Sequence, residues 1–216
     1  MKLFDRVLDL IYPRKCPFCG RLQEKGEDGI CGDCQQSLPW TGPEDGKQVE
    51  FCAVCLSPLW YRDGVREAVH RYKFNGGSVH ARLLGELMAQ CLSDRQECPA
   101  DLIVWVPLHP KNRRTRGFDQ AELLARRVGE LLGVPVESGL NKMRRTETQS
   151  QLDTAAMRRA NVAGAYALAS GLDAAGKRVV LVDDVVTSGA TMSECAALLL
   201  EAGAKEVVGL TIARAR

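Results

Sequence analysis

The chain has 216 residues, enough for one medium domain plus a small module. Its 29 basic and 27 acidic side chains leave a formal charge of +2, so no whole-chain field singles out nucleic acid or membrane as a partner. No stretch reaches the roughly 18–20 consecutive apolar residues that span a bilayer.

The opening segment from Leu3 to Ile11 carries Asp5, Arg6 and Asp9 inside an apolar pattern. It reads as a short amphipathic helix and not as a signal peptide, which predicts a cytoplasmic protein with no membrane partner. Six of nine cysteines then fall into three Cys-x-x-Cys pairs: Cys16/Cys19, Cys31/Cys34 and Cys52/Cys55. In a chain with no secretion signal, paired thiols are metal ligands before they are disulfides. The first two pairs read as facing knuckles whose four thiolates close a tetrahedral structural Zn²⁺ site. Cys52 and Cys55 have no fourth pair to match. They could share a metal across a homodimer, replace one of the first pairs, or stay free.

A turn-rich stretch, 39–47, leads toward a second unit that begins near Trp60, so the expected division is 1–59 and 60–216. Val65, Ala68, Val69 and Tyr72 recur at helical spacing up to the stop signal Asn75-Gly76-Gly77. A second helix shows Val79, Leu83, Leu84, Leu87, Met88 and Cys91 on one face. Residues 102–107 read as a buried strand. The next segment, 108–120, holds four cations in six residues and opens a long amphipathic helix over 118–132. Cations at a helix N-terminus oppose the dipole, so Lys111, Arg113 and Arg114 call for an anionic partner such as a polyphosphate, or for full solvation. Residues 141–161 are polar, basic and poor in apolar periodicity, which reads as a solvated helical hairpin.

The most informative stretch comes last. Val179 to Val182 read as a strand buried on both faces, followed by Asp183-Asp184, the small-residue loop Thr187-Ser188-Gly189-Ala190-Thr191 and a helix from Met192 to Glu201. Thr191 and Glu194 have capping-box spacing. Such a loop offers backbone N–H groups and a helix dipole to a phosphate, while the acid pair suits ribose hydroxyls or a divalent cation. The implied ligand is a sugar phosphate. With the strand at 207–212, helices and apolar strands alternate as in an α/β domain, whose ligands collect at the carboxyl ends of a parallel sheet. No Gly-Lys-Ser/Thr follows the loop, so an ATPase reading has no support.

The run Leu181 to Thr191 resembles the phosphoribosyl-diphosphate (PRPP) motif of type I phosphoribosyltransferases, position for position. Val106-Pro107-Leu108-His109-Pro110 with Arg113 to Ala121, the segments 61–66 and 70–76, and Arg145 to Leu152 with Arg158 to Val162 resemble the ComF/GntX family, associated with competence and DNA uptake. The family usually has Asn at the place of Asp119.

The resemblance implies a type I phosphoribosyltransferase-like parallel sheet flanked by helices, with a small N-terminal zinc-ribbon module built on four cysteines. It further implies a Mg²⁺-dependent glycosyltransferase with an unknown acceptor, linked to DNA uptake and competence or to nucleotide salvage. Asp183 and Asp184 would hold ribose hydroxyls directly or through Mg²⁺, Thr187 to Thr191 the 5′-phosphate, and Lys111, Arg113, Arg114 and Lys73 the pyrophosphate. Arg145 and Gln149 would belong to a mobile flap over 141–161. The alternative is a PRPP sensor or single-stranded-DNA-binding protein that keeps the fold, with DNA-uptake proteins as candidate partners.

Overall fold

The computed structural model describes residues 15–23, 29–42, 44–74, 80–146 and 154–216. The expected helix over 3–11 and Gln149 lie outside them. In chain order the elements are α1 (Gly32–Ser37), β1 (Val54–Leu56), β2 (Leu59–Trp60), α2 (Asp63–Phe74), α3 (Ala81–Ser93), β3 (Leu102–Trp105) and α4 (Pro110–Arg116). They continue with α5 (Gln120–Leu132), β4 (Val136–Glu137), β5 (Leu140–Lys142), α6 (Ala155–Val162), β6 (Tyr166–Leu168), β7 (Arg178–Val186), α7 (Ala190–Glu201) and β8 (Glu206–Arg214).

The main sheet runs β1-β8-β7-β3-β4, with β2 also on β8, and every pairing in it is parallel. Both β1 and the start of β2 lie upstream of residue 60. A separate antiparallel pair joins β5 to β6. Side chains alternate across β7. Val180 and Val182 pack with α2, α3 and α5 on one face, and Val179 and Leu181 pack with α7 on the other. A strand covered on both faces needs no polar alternation, which is why 179–182 is uniformly apolar.

The helix spacing read from the sequence holds for α2, whose buried residues are Val65, Ala68, Val69 and Tyr72. In α3 the buried face is shifted: Ala81, Leu84, Gly85, Met88, Ala89 and Leu92 face inward, with Leu87 and Cys91 only partly covered. Gly85 lies against Arg127 of α5, where a Cβ would come within 2.6 Å of its side chain.

Two expectations about helix ends are corrected. The basic segment does not open the long helix. Gly117, at φ 82°, closes α4 as a separate helix, so Arg113, Arg114 and Arg116 stand in its last turn, where the dipole favours cations. Their placement therefore needs no anion to account for it. The Thr191/Glu194 capping box is also absent. Gly189 is the N-cap of α7, and Glu194 instead accepts a hydrogen bond from the Gly164 N–H at 2.6 Å.

Candidate functional site

Parallel pairing of β3 with β7 sends the loops after both strands to one edge of the sheet. A cavity of about 580 Å³ opens there. Its floor is Asp183, Asp184, Thr187, Gly189 and Thr191; its walls include Lys73, His70 and Phe74 from α2, Asn112 and Arg116 from α4, and Lys142, Tyr166 and Arg158.

Asp183 and Asp184 lie within β7 and not beyond its end, since the strand continues to Val186. Adjacent strand residues point to opposite faces, so the two acids meet different partners. Asp184 pairs with Lys73, Nζ to Oδ1 at 2.8 Å, and the two side chains are only 15% and 24% exposed. Burial works against the Lys73 ammonium, but Asp184, Asp183 and Tyr61 outweigh it and raise its pKa. Asp183 accepts the Asp184 backbone N–H at 2.7 Å. Loss of water and the neighbouring Asp184 charge push its carboxyl up to about 8, against the pull of Lys73 and Lys142. Lys142, its pKa lowered by burial, lies 4.9 Å from the centre of the Tyr166 ring.

The small-residue loop is shaped for close approach. Gly189 has φ 83°, and a Cβ there would lie 3.1 Å from both methyl groups of Val49. Gly189 gives α7 no side-chain cap, and the Ala190 N–H donates to Ser188 Oγ at 3.4 Å. Of the five residues expected at a phosphate, Thr187, Gly189 and Thr191 line the cavity; Ser188 is exposed and Ala190 is buried.

The expected pyrophosphate residues fare differently. Lys73 lines the cavity, but as the partner of Asp184. Lys111, Arg113 and Arg114 are not among the lining residues, and Arg113 pairs with Glu122 at 3.1 Å. Arg116 takes their place. Its guanidinium lies 4.6 Å from the centre of the Phe74 ring, which is itself 54% exposed at the cavity mouth. Arg145 is exposed and does not line the cavity. Asp119 turns out to be a structural cap. It is buried and accepts hydrogen bonds from the backbone of Ala121, Glu122 and, at 2.8 Å, Leu108. It thereby fixes the β3–α4 loop to α5.

Cys16, Cys19, Cys31 and Cys34 come together, all four sulfurs within 4.8 Å of one another. Four thiolates about 2.3 Å from one Zn²⁺ stand about 3.8 Å apart, so the donor set fits a closed tetrahedral site. Burial opposes the Cys16 thiolate, but backbone N–H groups of Cys19, Cys31 and Phe18 prevail and bring it down to about 7. Burial and the neighbouring sulfurs push Cys34 up, a repulsion that a dication relieves. Cys52 and Cys55 are not part of this cluster. Cys55 is buried in β1, and burial pushes Cys52 up to about 12.

The acid pair is a poorer match to a protein-held divalent cation. One Asp184 oxygen is engaged by an ammonium, and Asp183 is held toward its neutral form. These carboxylates suit hydroxyl groups better than a hard dication in the arrangement observed.

Residues 114–216 match the phosphoribosyl transferase domain family and residues 7–68 the double zinc ribbon domain family. Competence protein F of Haemophilus influenzae is 29% identical, over 93% of this chain and 97% of that protein. DNA utilization protein YhgH of Salmonella typhi is 33% identical, over 92% and 96%. Competence protein ComFC of Streptococcus pneumoniae is 27% identical, over 97% and 85%. Among solved structures, the glutamine PRPP amidotransferase of B. subtilis is 26% identical with a TM-score of 0.44, covering 65% of this chain and 30% of that one. Among the described residues no helix is long and apolar enough to cross a membrane. With a phosphoribosyltransferase-type parallel sheet behind a four-cysteine ribbon, and relatives matching over almost its whole length, the chain belongs to the ComF/YhgH family.

Proposed function

We propose that the protein binds PRPP in this cavity and transfers its ribosyl phosphate to an acceptor. The observation that carries the reading is the meeting of the Asp183–Asp184 pair and the Gly189 loop on one floor, with Arg116, Lys142 and Arg158 on the walls. The N–H groups of the loop and the Thr187 and Thr191 hydroxyls hold the 5′-phosphate. Asp183 and Asp184 hold the ribose hydroxyls. Arg116, Lys142 and Arg158 receive the diphosphate, in preference to Lys111, Arg113 and Arg114. Mg²⁺, where bound, would supply charge neutralisation to the diphosphate. The C1′–oxygen bond to diphosphate breaks with its electron pair leaving on diphosphate, the acceptor bonds C1′, and the acceptor gives up a proton. Fixed cations act where that leaving charge builds. Arg145, exposed next to the cavity-lining Thr146, belongs to the flap that excludes water in this reading; Gln149 lies outside the described residues.

Calorimetric titration with PRPP, followed by measurement of diphosphate release against a panel of nucleobases, tests this. Saturable PRPP binding is expected, with release stimulated by one acceptor. Absence of PRPP binding would remove the reading.

A second reading keeps the PRPP site as a sensor and makes the protein a single-stranded-DNA binder. It is favoured by Phe74, an exposed ring backed by Arg116, which suits base stacking. Relatives named for competence and DNA utilization support a link to DNA uptake under either reading. DNA binding at two salt concentrations, with and without PRPP, separates the two. We place the protein in the cytoplasm, with the zinc-ribbon module ending before the sheet begins near residue 54; a homodimer is part of this proposal, to be checked by light scattering.

A further inference from the structure

Asp184 already holds a cation of its own. The Lys73 ammonium lies 2.8 Å from its Oδ1, with both side chains largely withdrawn from water. Lys73 is not free to wander, because the residues before it pin the last turns of α2. The Tyr72 hydroxyl donates to the Gln120 carbonyl at 2.8 Å in the core. Arg71 donates to the carbonyls of Pro17 and Phe18 at 2.8 and 2.7 Å. The ammonium is therefore delivered to the acid pair by a helix fixed on two sides. Lys142 stands beyond Asp183, so the pair is flanked by cations on both faces of the sheet.

A divalent ion seated on Asp184 would have to displace this ammonium and leave it beside a dication in a half-buried site, where the repulsion is poorly screened. An ammonium also has three donors, of which Asp184 takes one; the others can serve a ribose hydroxyl or a phosphoryl oxygen. We propose that Lys73 is the built-in cation of the acid pair, so that the ribose phosphate half of the ligand binds without a divalent metal. This rests on the sugar-phosphate reading of the cavity. It confines any Mg²⁺ requirement to the diphosphate end.

The test uses ribose 5-phosphate, which lacks the diphosphate, titrated into the zinc-loaded protein in EDTA-free buffer with and without Mg²⁺. Wild type, Lys73→Met and Lys73→Arg are compared, with zinc content and circular dichroism checking the fold. Mn²⁺ alone is followed by electron paramagnetic resonance as a separate probe of the acid pair. The wild type is expected to bind ribose 5-phosphate equally well in both buffers and to hold no Mn²⁺ at the pair. Lys73→Met should bind at least about tenfold more weakly without metal, recover with Mg²⁺ and acquire a Mn²⁺ site. Lys73→Arg, which keeps the charge, should remain metal-independent.

The proposal is overturned if wild-type binding depends on Mg²⁺, or if Lys73→Met loses the same factor in both buffers. If no protein binds ribose 5-phosphate under any condition, the sugar-phosphate reading falls. The Mn²⁺ arm then still decides for Lys73: Mn²⁺ held by Lys73→Met and not by wild type supports it, and equal binding sinks it. Should Lys73→Met not fold, the wild-type Mg²⁺ comparison alone can overturn the proposal.

Discussion

Arg71 hydrogen-bonds the carbonyl oxygen of Phe18 at 2.7 Å, and this contact ties the cysteine ribbon to the helix that carries Lys73. Phe18 is buried in the same core as Tyr72. Order in the ribbon is thus transmitted to one wall of the cavity. Cys16→Ser and Cys31→Ser should each lose the zinc, about one ion per chain, and should also weaken ribose 5-phosphate binding although neither cysteine lines the cavity. Metal analysis alongside calorimetry checks both. Arg71→Ala should keep its zinc yet unfold more easily, by about 1.5–3 kcal/mol, the usual range for hydrogen bonds from a charged donor. Unchanged stability would mean that the ribbon and α2 are held together by packing alone.

Gly189 sits where two constraints coincide: a left-handed backbone and the methyl groups of Val49. Gly189→Ala should destabilise by about 1–2 kcal/mol from the backbone alone. Adding Val49→Ala relieves only the crowding, so the double variant should not recover wild-type affinity for ribose 5-phosphate. Full recovery would show that the φ angle is not what shapes the loop.

Asp183 gives a pH dependence of definite sign. Its carboxyl is pushed up to about 8 from an ordinary value of 3.8. Between about pH 4 and about pH 8 the unfolded chain releases this proton while the folded one retains it, so the group lowers stability progressively over that window. Asp183→Asn should therefore melt higher than wild type at pH 8, with the gap closing toward pH 4. Thermal denaturation of the ligand-free proteins at several pH values measures it, and a gap that widened on acidification would contradict the assignment.

Two sets of cations can be told apart. Arg116→Ala and Lys142→Ala should weaken PRPP binding and leave ribose 5-phosphate nearly untouched. Lys111→Ala and Arg114→Ala should do little to either ligand. Calorimetry with the two ligands ranks them, and the reverse ranking would return the diphosphate to the α4 residues that do not line the cavity.

Much of this was legible in the residues. The period of Val65, Ala68, Val69 and Tyr72 gave α2, and the apolar run at 179–182 gave the centre of the sheet, because both patterns are set by local burial. The order Asp183, Asp184, Thr187, Gly189, Thr191 identified the cavity floor. What stayed hidden depended on contacts remote in sequence. Nothing near Lys73 announces Asp184, and Asp119 reads as a misplaced charge until the Leu108 N–H is seen pointing at it. The cations at 111–116 read as the lead into the 118–132 helix, because nothing in their own apolar pattern marks the short separate helix that Gly117 closes. Lys142 and Tyr166 meet only because β5 and β6 pair, and neither strand is long enough to show an alternating pattern.

The position of β8 bears on how the protein is made. This strand lies between β7 on one side and β1 with β2 on the other, so the sheet has the latest-synthesised of its strands in its interior. While residues 206–214 are still in the ribosome, β1 and β2 lack the partner they have in the finished sheet, and the long strand β7 presents an open hydrogen-bonding edge. Such edges recruit other chains. Folding of this domain consequently waits for residues 206–214, and a chain cut short before Glu206 is expected to aggregate and not to persist as a smaller working protein.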